Sequence, residues 1–440
     1  MKKIFNILLL SVFIFTSCET DFDNVNQPAE NQVLTTKSGL ITAVVGMTSH
    51  FTTSTLSPIV EVPGLSTREL GNLLTFVTPQ ELVAGGAGLP NDNAGITRLW
   101  NRLLRDKGAA ELIIENVDAV EMDPGTKSGI KAYAKFFKAM TLGYLIQNFE
   151  QVPINNNSDG TADFNSRNEV LTECINLLES AKSDISANAI SDEFLGNISG
   201  LDLPNMINAY LARYNLFAGN YAAAISAADA VDLTSESVWM YDGATNKNAI
   251  FSFAVENAPD TKPQDNFGLT GVLTPEVNDG RISFYLSPSD EVEVPDFGAH
   301  GVENLLGFFD EGNKSIPVYL PGEMLLIKAE SYAMTNDLPN AVININLVRQ
   351  KNNDVFGVNA NLGAWAGNTN NSEDVMNEIF KNRSIELFMS GLRLEDSRRI
   401  NSSFTPSANA DFLSERNRNF YPYPFEERLN NPNTPTDPSI

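Results

Sequence analysis

Two stretches of this chain repeat one another at a constant offset of 117 residues, and that repeat restricts the fold more than any other feature. Ala212, Leu216, Phe217, Gly219, Asn220, Tyr221, Ala224 and Ala228 in the first answer to Ala329, Ala333, Met334, Asn336, Asp337, Leu338, Ala341 and Ile345 in the second. The spacing is helical on both sides of a short break, so each stretch reads as helix, tight turn, helix. Small residues let the two helices approach closely, while Gly219-Asn220 and Asn336-Asp337 supply turn chemistry. Such a hairpin cannot bury its apolar face alone and must stack on a neighbour. The two copies are dispersed rather than tandem, so the neighbours come from elsewhere in the chain.

Helical periodicity shows where. Apolar residues recur at helical spacing over residues 96–117 (Leu99, Leu103, Ala110, Ile113, Ile114), and residues 130–149 are denser in apolar and aromatic side chains. The second run stops before Val152-Pro153. Residues 165–185 give a third amphipathic helix with Val170, Cys174, Leu177, Leu178 and Ala181 on one side, where Cys174 reads as a packed small hydrophobe. Trp100 and Trp239 read as core residues. The expected class is mainly α: a tetratricopeptide-like scaffold of helical hairpins with long irregular loops and a few short strands. The irregular parts are about residues 53–95 and 239–317, rich in Gly, Pro, Asn and Asp, with short strand-like pieces such as Ile250 to Val255. Long irregular segments on a rigid scaffold are where recognition usually sits. A third loop, residues 352–371, holds Trp365 among Gly and Asn, and both loop packing and recognition suit it.

The N-terminus points outside the cell. Lys2 and Lys3 precede an apolar run from Ile4 to Phe15, and small residues lead to Cys18. A charged start, a short apolar core and a small-residue break make a secretory signal, and the run is shorter than the roughly 20 residues that span a bilayer. A cysteine just after the cleavage point is the acceptor of a lipid anchor, so residues 1–17 read as a lipoprotein signal and Cys18 as the lipidated first residue. Residues 18–32 are polar and acidic without periodicity, a flexible tether, and residues 33–440 form the body. Asp21 and Asp23 belong to that solvated tether rather than to a calcium site.

Composition then excludes whole classes. Removal of the signal leaves 28 bases against 55 acids, a formal charge of −27, which opposes nucleic-acid binding and charge-driven attachment to anionic lipid. Beyond Cys18 the only cysteine is Cys174, so the body relies on its core rather than on disulfides. His50 and His300 are the only histidines, too few for multi-histidine metal sites, and neither a metal nor a cofactor is expected. No nucleophile elbow, zinc-protease helix or phosphate-binding loop is present, and Gly85-Gly86-Ala87-Gly88 lacks a dinucleotide-site context. Among 55 carboxylates nothing singles out the pair a glycosidase needs.

The C-terminal third carries motifs. Gly322 to Tyr332 (GEMLLIKAESY), Asn382 to Arg393 (NRSIELFMSGLR) followed by Asp396 and Arg398-Arg399, and Tyr421-Pro422-Tyr423-Pro424 with Asn430-Asn431-Pro432 resemble signatures of the SusD/RagB family of Bacteroidetes surface lipoproteins. Residues 132–153 are similar to an earlier family helix. The chain departs from the pattern at Ser390, where the family usually has Glu, and at Asn382, where it often has Arg. Within the signature, Met376, Ile379, Phe380, Arg383 and Leu387 share one helical face, so Arg383 and Glu386 lie near the core edge and need partners. Glu330, Arg393, Asp396 and Arg398 are the candidates for one structural ion-pair network.

The resemblance implies a non-enzymatic protein that captures a nutrient, typically a glycan or other oligomer, and serves a TonB-dependent transporter of the SusC type in the outer membrane. Sugar recognition uses aromatic faces with Asn, Asp and Arg bonding hydroxyls. The residues placed to do so are Arg68, Phe76, Asn91 and Asp92 in the first irregular segment, Tyr285 and Phe297 in the second, and Trp365. A surface glycoside hydrolase and a tetratricopeptide scaffold without ligand are the competing classes.

Overall fold

A computed structural model describes residues 33–73, 75–157, 159–256, 261–289, 301–400 and 416–440. Cys18, the tether and Phe297 lie outside these residues. Helix α1 (Lys37–His50) passes through a π turn, Phe51–Thr55, into α2 (Leu56–Ser66). Strand β1 (Leu70–Asn72) and helix α3 (Val77–Ala84) follow, then α4 (Ala94–Asn116) and α5 (Pro124–Asn148). Asn93 starts α4 by accepting from the amides of Gly95 and Ile96, and Asp123 starts α5 by accepting from that of Thr126. Strands β2 (Gln151–Val152) and β3 (Asn165–Ser166) lead to α6 (Arg167–Ala187), α7 (Asp192–Asn197) and the hairpin α8 (Leu203–Phe217) with α9 (Tyr221–Asp229).

The two repeated hairpins match in detail. Gly219 and Asn336 take the left-handed backbone, at φ 77° and 61°, at equivalent positions. The next amide in each, Asn220 and Asp337, closes the turn on a carbonyl five residues back, Asn215 and Tyr332, at 2.8 Å in both. Ala212, Ala224, Ala329 and Ala341 are fully buried at the helix contacts. The second hairpin is α12 (Pro321–Met334) with α13 (Leu338–Arg349), the helices numbered after those of the intervening segment. Packing runs α4 on α5, α5 on α6, α6 on α8, α9 on α12, and finally α14 (Ser372–Glu386) across α12 and α13. The first hairpin thus finds its neighbour in the periodic helix α6, and the second stacks on the first and on α14.

Two segments depart from the sequence reading. Within residues 53–95, expected to be irregular, α2 is a nearly completely buried helix. It is apolar all round, so it shows no amphipathic period, and Pro58 and Pro63 look like breakers; enclosure in the core makes it a helix nonetheless. The Ile250–Val255 piece expected to be strand-like lies mostly in helix α10 (Ala249–Ala254). Asn248 decides this by accepting from the amides of Ile250 and Phe251 while donating to the carbonyls of Phe308 and Lys314.

The irregular segment between the hairpins also holds β4 (Val238–Trp239), β5 (Thr261–Pro263), α11 (Gly280–Tyr285), β6 (Leu286–Pro288), β7 (Glu303–Leu305) and β8 (Ile316–Pro317). Among the described residues the strands form two-stranded antiparallel ribbons, β1 with β5, β2 with β3, β4 with β8 and β6 with β7. Helices α15 (Arg393–Ile400) and α16 (Phe425–Asn430) complete the chain. The C-terminal stretch reaches back across the body. The Asn417 amide group donates to the carbonyls of Leu82 and Val83, the Arg418 guanidinium to Gly86, and the Tyr421 backbone N–H to Asn148.

Trp100 is fully enclosed among Phe149, Phe164 and Tyr423, and Trp239 packs on Phe51 and Phe137. Cys174 is fully buried; its Sγ donates to the Ala139 carbonyl, and burial pushes its thiol up.

Candidate functional site

The second irregular segment builds a rigid turn with an open space on each side. Residues 242–247 rise between two buried anchors, Tyr241, whose hydroxyl donates to the Thr52 carbonyl, and Asn248, whose amide donates to that of Gly312. Asp242 clamps the turn itself. Its Oδ1 accepts from the amides of Ala244 and Asn246 at 2.8 Å each, its Oδ2 accepts from the Thr245 hydroxyl at 2.6 Å, and Gly243 takes a φ of 73°. The Thr245 hydroxyl, aided by those two amides, holds the Asp242 carboxyl down from the ordinary 3.8 to about 2.

The clamp makes the turn pH-dependent in a definite sense. A depressed carboxyl stabilises the turn above its unfolded value and loses that contribution as pH falls through about 2, so the turn loosens below about pH 4. At neutral pH, Asp242→Ala is expected to speed hydrogen exchange of the Ala244 and Asn246 amides. Unchanged exchange there would remove the clamp.

On one side of the turn lies a cleft of about 480 Å³ with Asp242, Lys247, Phe251, Glu256, Asp310 and Asn313 in its walls. That volume is in the range of about 300–1,000 Å³ typical of small-molecule sites. Phe251 is half-buried and offers a ring, Lys247 pairs with Glu256 at 2.6 Å, and Lys314 pairs with Asp310 at 2.7 Å. On the other side is a groove of about 270 Å³ lined by Thr48, Ser49, Asn197, Ser199, Trp239 and Asn246, among others. Asn246 donates to the Met240 carbonyl, while its Oδ1 has no hydrogen-bond partner.

A third space is internal. The Arg213 guanidinium grips Glu323 through two bonds of 2.6 and 2.8 Å, lies 4.1 Å over the Tyr210 ring, and leaves Nη1 without a partner. The cavity beside it measures about 50 Å³, room for a few waters and far below the roughly 150 Å³ that accommodates benzene.

The residues expected to bind sugar are scattered. Tyr285 is fully buried among Phe267, Phe284, Phe308, Phe309 and Phe388, so it lines the internal cavity and does not face solvent. Arg68 is buried too, with a φ of 61°, and its carbonyl sits so near Gly268 that a Cβ there would fall 1.9 Å away. Both are corrected to scaffold. Trp365 is half-buried against the small cluster of Ala329, Ala333, Ala341, Ile345, Val375 and Ile379, with its backbone amide donating to Asn346. Phe76 is exposed, as is Asp92; the half-buried Asn91 accepts from the amide of Phe425, another exposed ring. Neighbouring Asn93 ties that turn to α3 by donating to the Thr78 carbonyl and the Glu81 carboxylate. Phe425 and the cleft residues carry no periodic signal; the Asp242-Gly243 pair, a turn former, is the trace they leave in the sequence.

The ionic residues of the signature do not form one network. Arg383 binds Asp396 through two bonds of 2.8 and 2.9 Å and lies 3.8 Å from Glu330, which also meets Arg399. Arg398 pairs with Glu395 and donates to the Asn419 and Gln147 carbonyls. Glu386 is not in that cluster: it meets Arg281 at 3.2 Å and Lys351, and Arg281 also grips Asp279 and donates to Asn382. Arg393 turns instead to the Phe267 carbonyl and the charge of Glu69. Among the described residues no group of three or more His, Cys, Asp or Glu is arranged to hold a metal, and no helix is long and apolar enough to cross a membrane.

Comparison with known proteins places this architecture. No curated protein sequence is similar to the chain. Residues 309–437 match the model of the SusD family. A SusD-like carbohydrate binding protein from Bacteroides fragilis superposes with a TM-score of 0.68 at 14% identity, over 91% of this chain and 99% of that one. A second protein of that description, from Bacteroides vulgatus, gives 0.67 at 16% identity over 91% and 97%. A SusD homolog from Bacteroides thetaiotaomicron gives 0.67 at 17% over 91% and 98%. The chain thus carries the SusD family pattern over residues 309–437 and the fold of SusD-like proteins along nearly its whole length.

Proposed function

We propose that the chain binds a glycan at the cell surface, without transforming it, and delivers it to a TonB-dependent SusC-like transporter. The observation that carries the reading is the surface around the 242–247 turn, where a half-buried ring, carboxylates and amides line an open cleft of about 480 Å³. A pyranose presents an apolar face that stacks on an aromatic ring and a rim of hydroxyls that bond to carboxylates and amides. Capture rather than cleavage fits the carboxylates: Glu256 and Asp310 are each bonded to a lysine and Asp242 to its own turn. Glycosidic cleavage needs instead a general acid with a free partner across the bond.

Phe251→Ala is expected to weaken retention on an immobilised polysaccharide that the wild type binds by about threefold to tenfold, the worth of one stacked ring. Phe251 stands outside the main core, so the melting curve should hold. Retention unaffected by this change would move the seat elsewhere, and shortening of the polysaccharide over time would make the protein a hydrolase. The lipid anchor at Cys18 rests on the sequence. Cys18→Ser should release the protein from membranes of cells lacking the transporter, and undiminished membrane association would refute it.

A further inference from the structure

We infer that the surface beside the 242–247 turn selects uncharged, hydroxyl-rich glycans and rejects those bearing carboxylate or sulfate; this rests on the reading of that surface as the glycan seat. The cleft lining brings together four carboxylates, Asp242, Glu256, Asp310 and Glu311, against the ammonium group of Lys247, and Lys314 pairs with two of the four. Both lysines are already engaged by those carboxylates, Lys314 reaching Asp310 at 2.7 Å and Glu311 at 3.8 Å. No arginine lines either the cleft or the groove, so the planar fork that ordinarily receives a carboxylate or sulfate is missing from both linings.

The groove across the turn carries no charged side chain. It offers Thr, Ser and Asn groups, which can bond hydroxyls without supplying positive charge. The cleft, with its four carboxylates, is rich in acceptors. A hydroxyl, which can donate, satisfies them; a carboxylate or sulfate oxygen only accepts and meets charge of its own sign. The net charge of −25 on the whole chain adds a long-range field of the same sign.

The test is affinity electrophoresis of the purified protein through gels containing a panel of neutral polysaccharides (hydroxyethylcellulose, dextran, galactomannan, arabinoxylan) and acidic ones (polygalacturonate, alginate, chondroitin sulfate). Each gel is run at low salt and at about 0.5 M salt. The higher salt shrinks the Debye length to a few ångströms and so removes the repulsion between the whole protein and a polyanion, leaving the local chemistry of the seat. The expected result is retention confined to neutral members at both salts, with retention lost or weakened in Phe251→Ala. Retention of any acidic member by the wild type overturns the inference. If that retention disappears in Phe251→Ala, the seat itself stands and only its selectivity is wrong. Retention of no member at all overturns the seat, and the inference with it. Where a neutral glycan is retained, Asp310→Asn combined with Glu311→Gln should raise the affinity for its carboxymethylated derivative, relative to that for the neutral glycan, by roughly threefold. An unchanged ratio would show that cleft charge does not discriminate.

Discussion

Arg383→Ala is expected to lower the unfolding free energy by about 3–5 kcal/mol, the cost of removing one partner from a buried charge pair. Arg383 is fully enclosed and is bonded twice to Asp396, itself 2% exposed, with Glu330 close by. The truncation leaves Arg399 to answer both carboxylates. Urea titration at pH 7 measures the effect, and Lys37→Ala, which breaks an exposed pair with Glu193, serves as a near-neutral control. The loss should also depend on pH. Burial pushes the Asp396 carboxyl up while Arg383 opposes the rise. A carboxyl raised in the folded state binds its proton more tightly there than in the unfolded chain, so its contribution favours folding at low pH and is lost as pH climbs through the raised value. Without Arg383 that value climbs further, and the deficit of the variant should be smaller near pH 5 than at pH 7. A deficit under about 1 kcal/mol at pH 7, in the range of surface pairs, would show that Arg383 does not hold this cluster together.

Tyr285→Ala should cost a similar amount, about 3–5 kcal/mol, as an enclosed aromatic removed from a packed core does. The ring touches a ring of phenylalanines, and the hydroxyl donates to the Glu386 carbonyl at 3.1 Å. Tyr285→Phe keeps the packing and leaves that carbonyl short of a donor, so it should lose only about 1–3 kcal/mol. Differential scanning calorimetry of both variants decides the matter. A melt of Tyr285→Ala within experimental error of the wild type, together with lost glycan retention, would return Tyr285 to the role of ligand contact.

That reversal illustrates what a sequence can carry. The helices α4, α5 and α6 stand where periodicity puts them because each has one apolar face and one polar face, and the hairpins are legible because their turns demand Gly or Asn. Helix α2 was hidden since a helix apolar on every side looks like a buried strand or a loop broken by prolines. The second irregular segment reads as a place for recognition, but which of its rings meets solvent is a tertiary property: Tyr285 turns inward and Phe251 does not, and nothing local distinguishes them. The signature arginines were legible as residues in need of partners, whereas their division was not. Asn382, standing where the family often has Arg, accepts from Arg281, a guanidinium delivered by α11 from about a hundred residues upstream. Glu386 finds its positive partner there and not in Arg383.

The C-terminal stretch that crosses back over the body has a consequence for the order of folding. The bond from Asn417 to Leu82 joins residues 335 positions apart, and that from Tyr421 to Val62 spans 359. Neither can form until the ribosome has finished almost the whole polypeptide, while the hairpins close over a handful of residues. Long closures are also the slow ones, because the entropy of the intervening loop is lost before any contact compensates it. Helix α2, whose Val62 carbonyl accepts from the Tyr421 hydroxyl, therefore cannot gain this cover before the C-terminal stretch is made. The clasp that completes the fold is thus also the part of it that can form last.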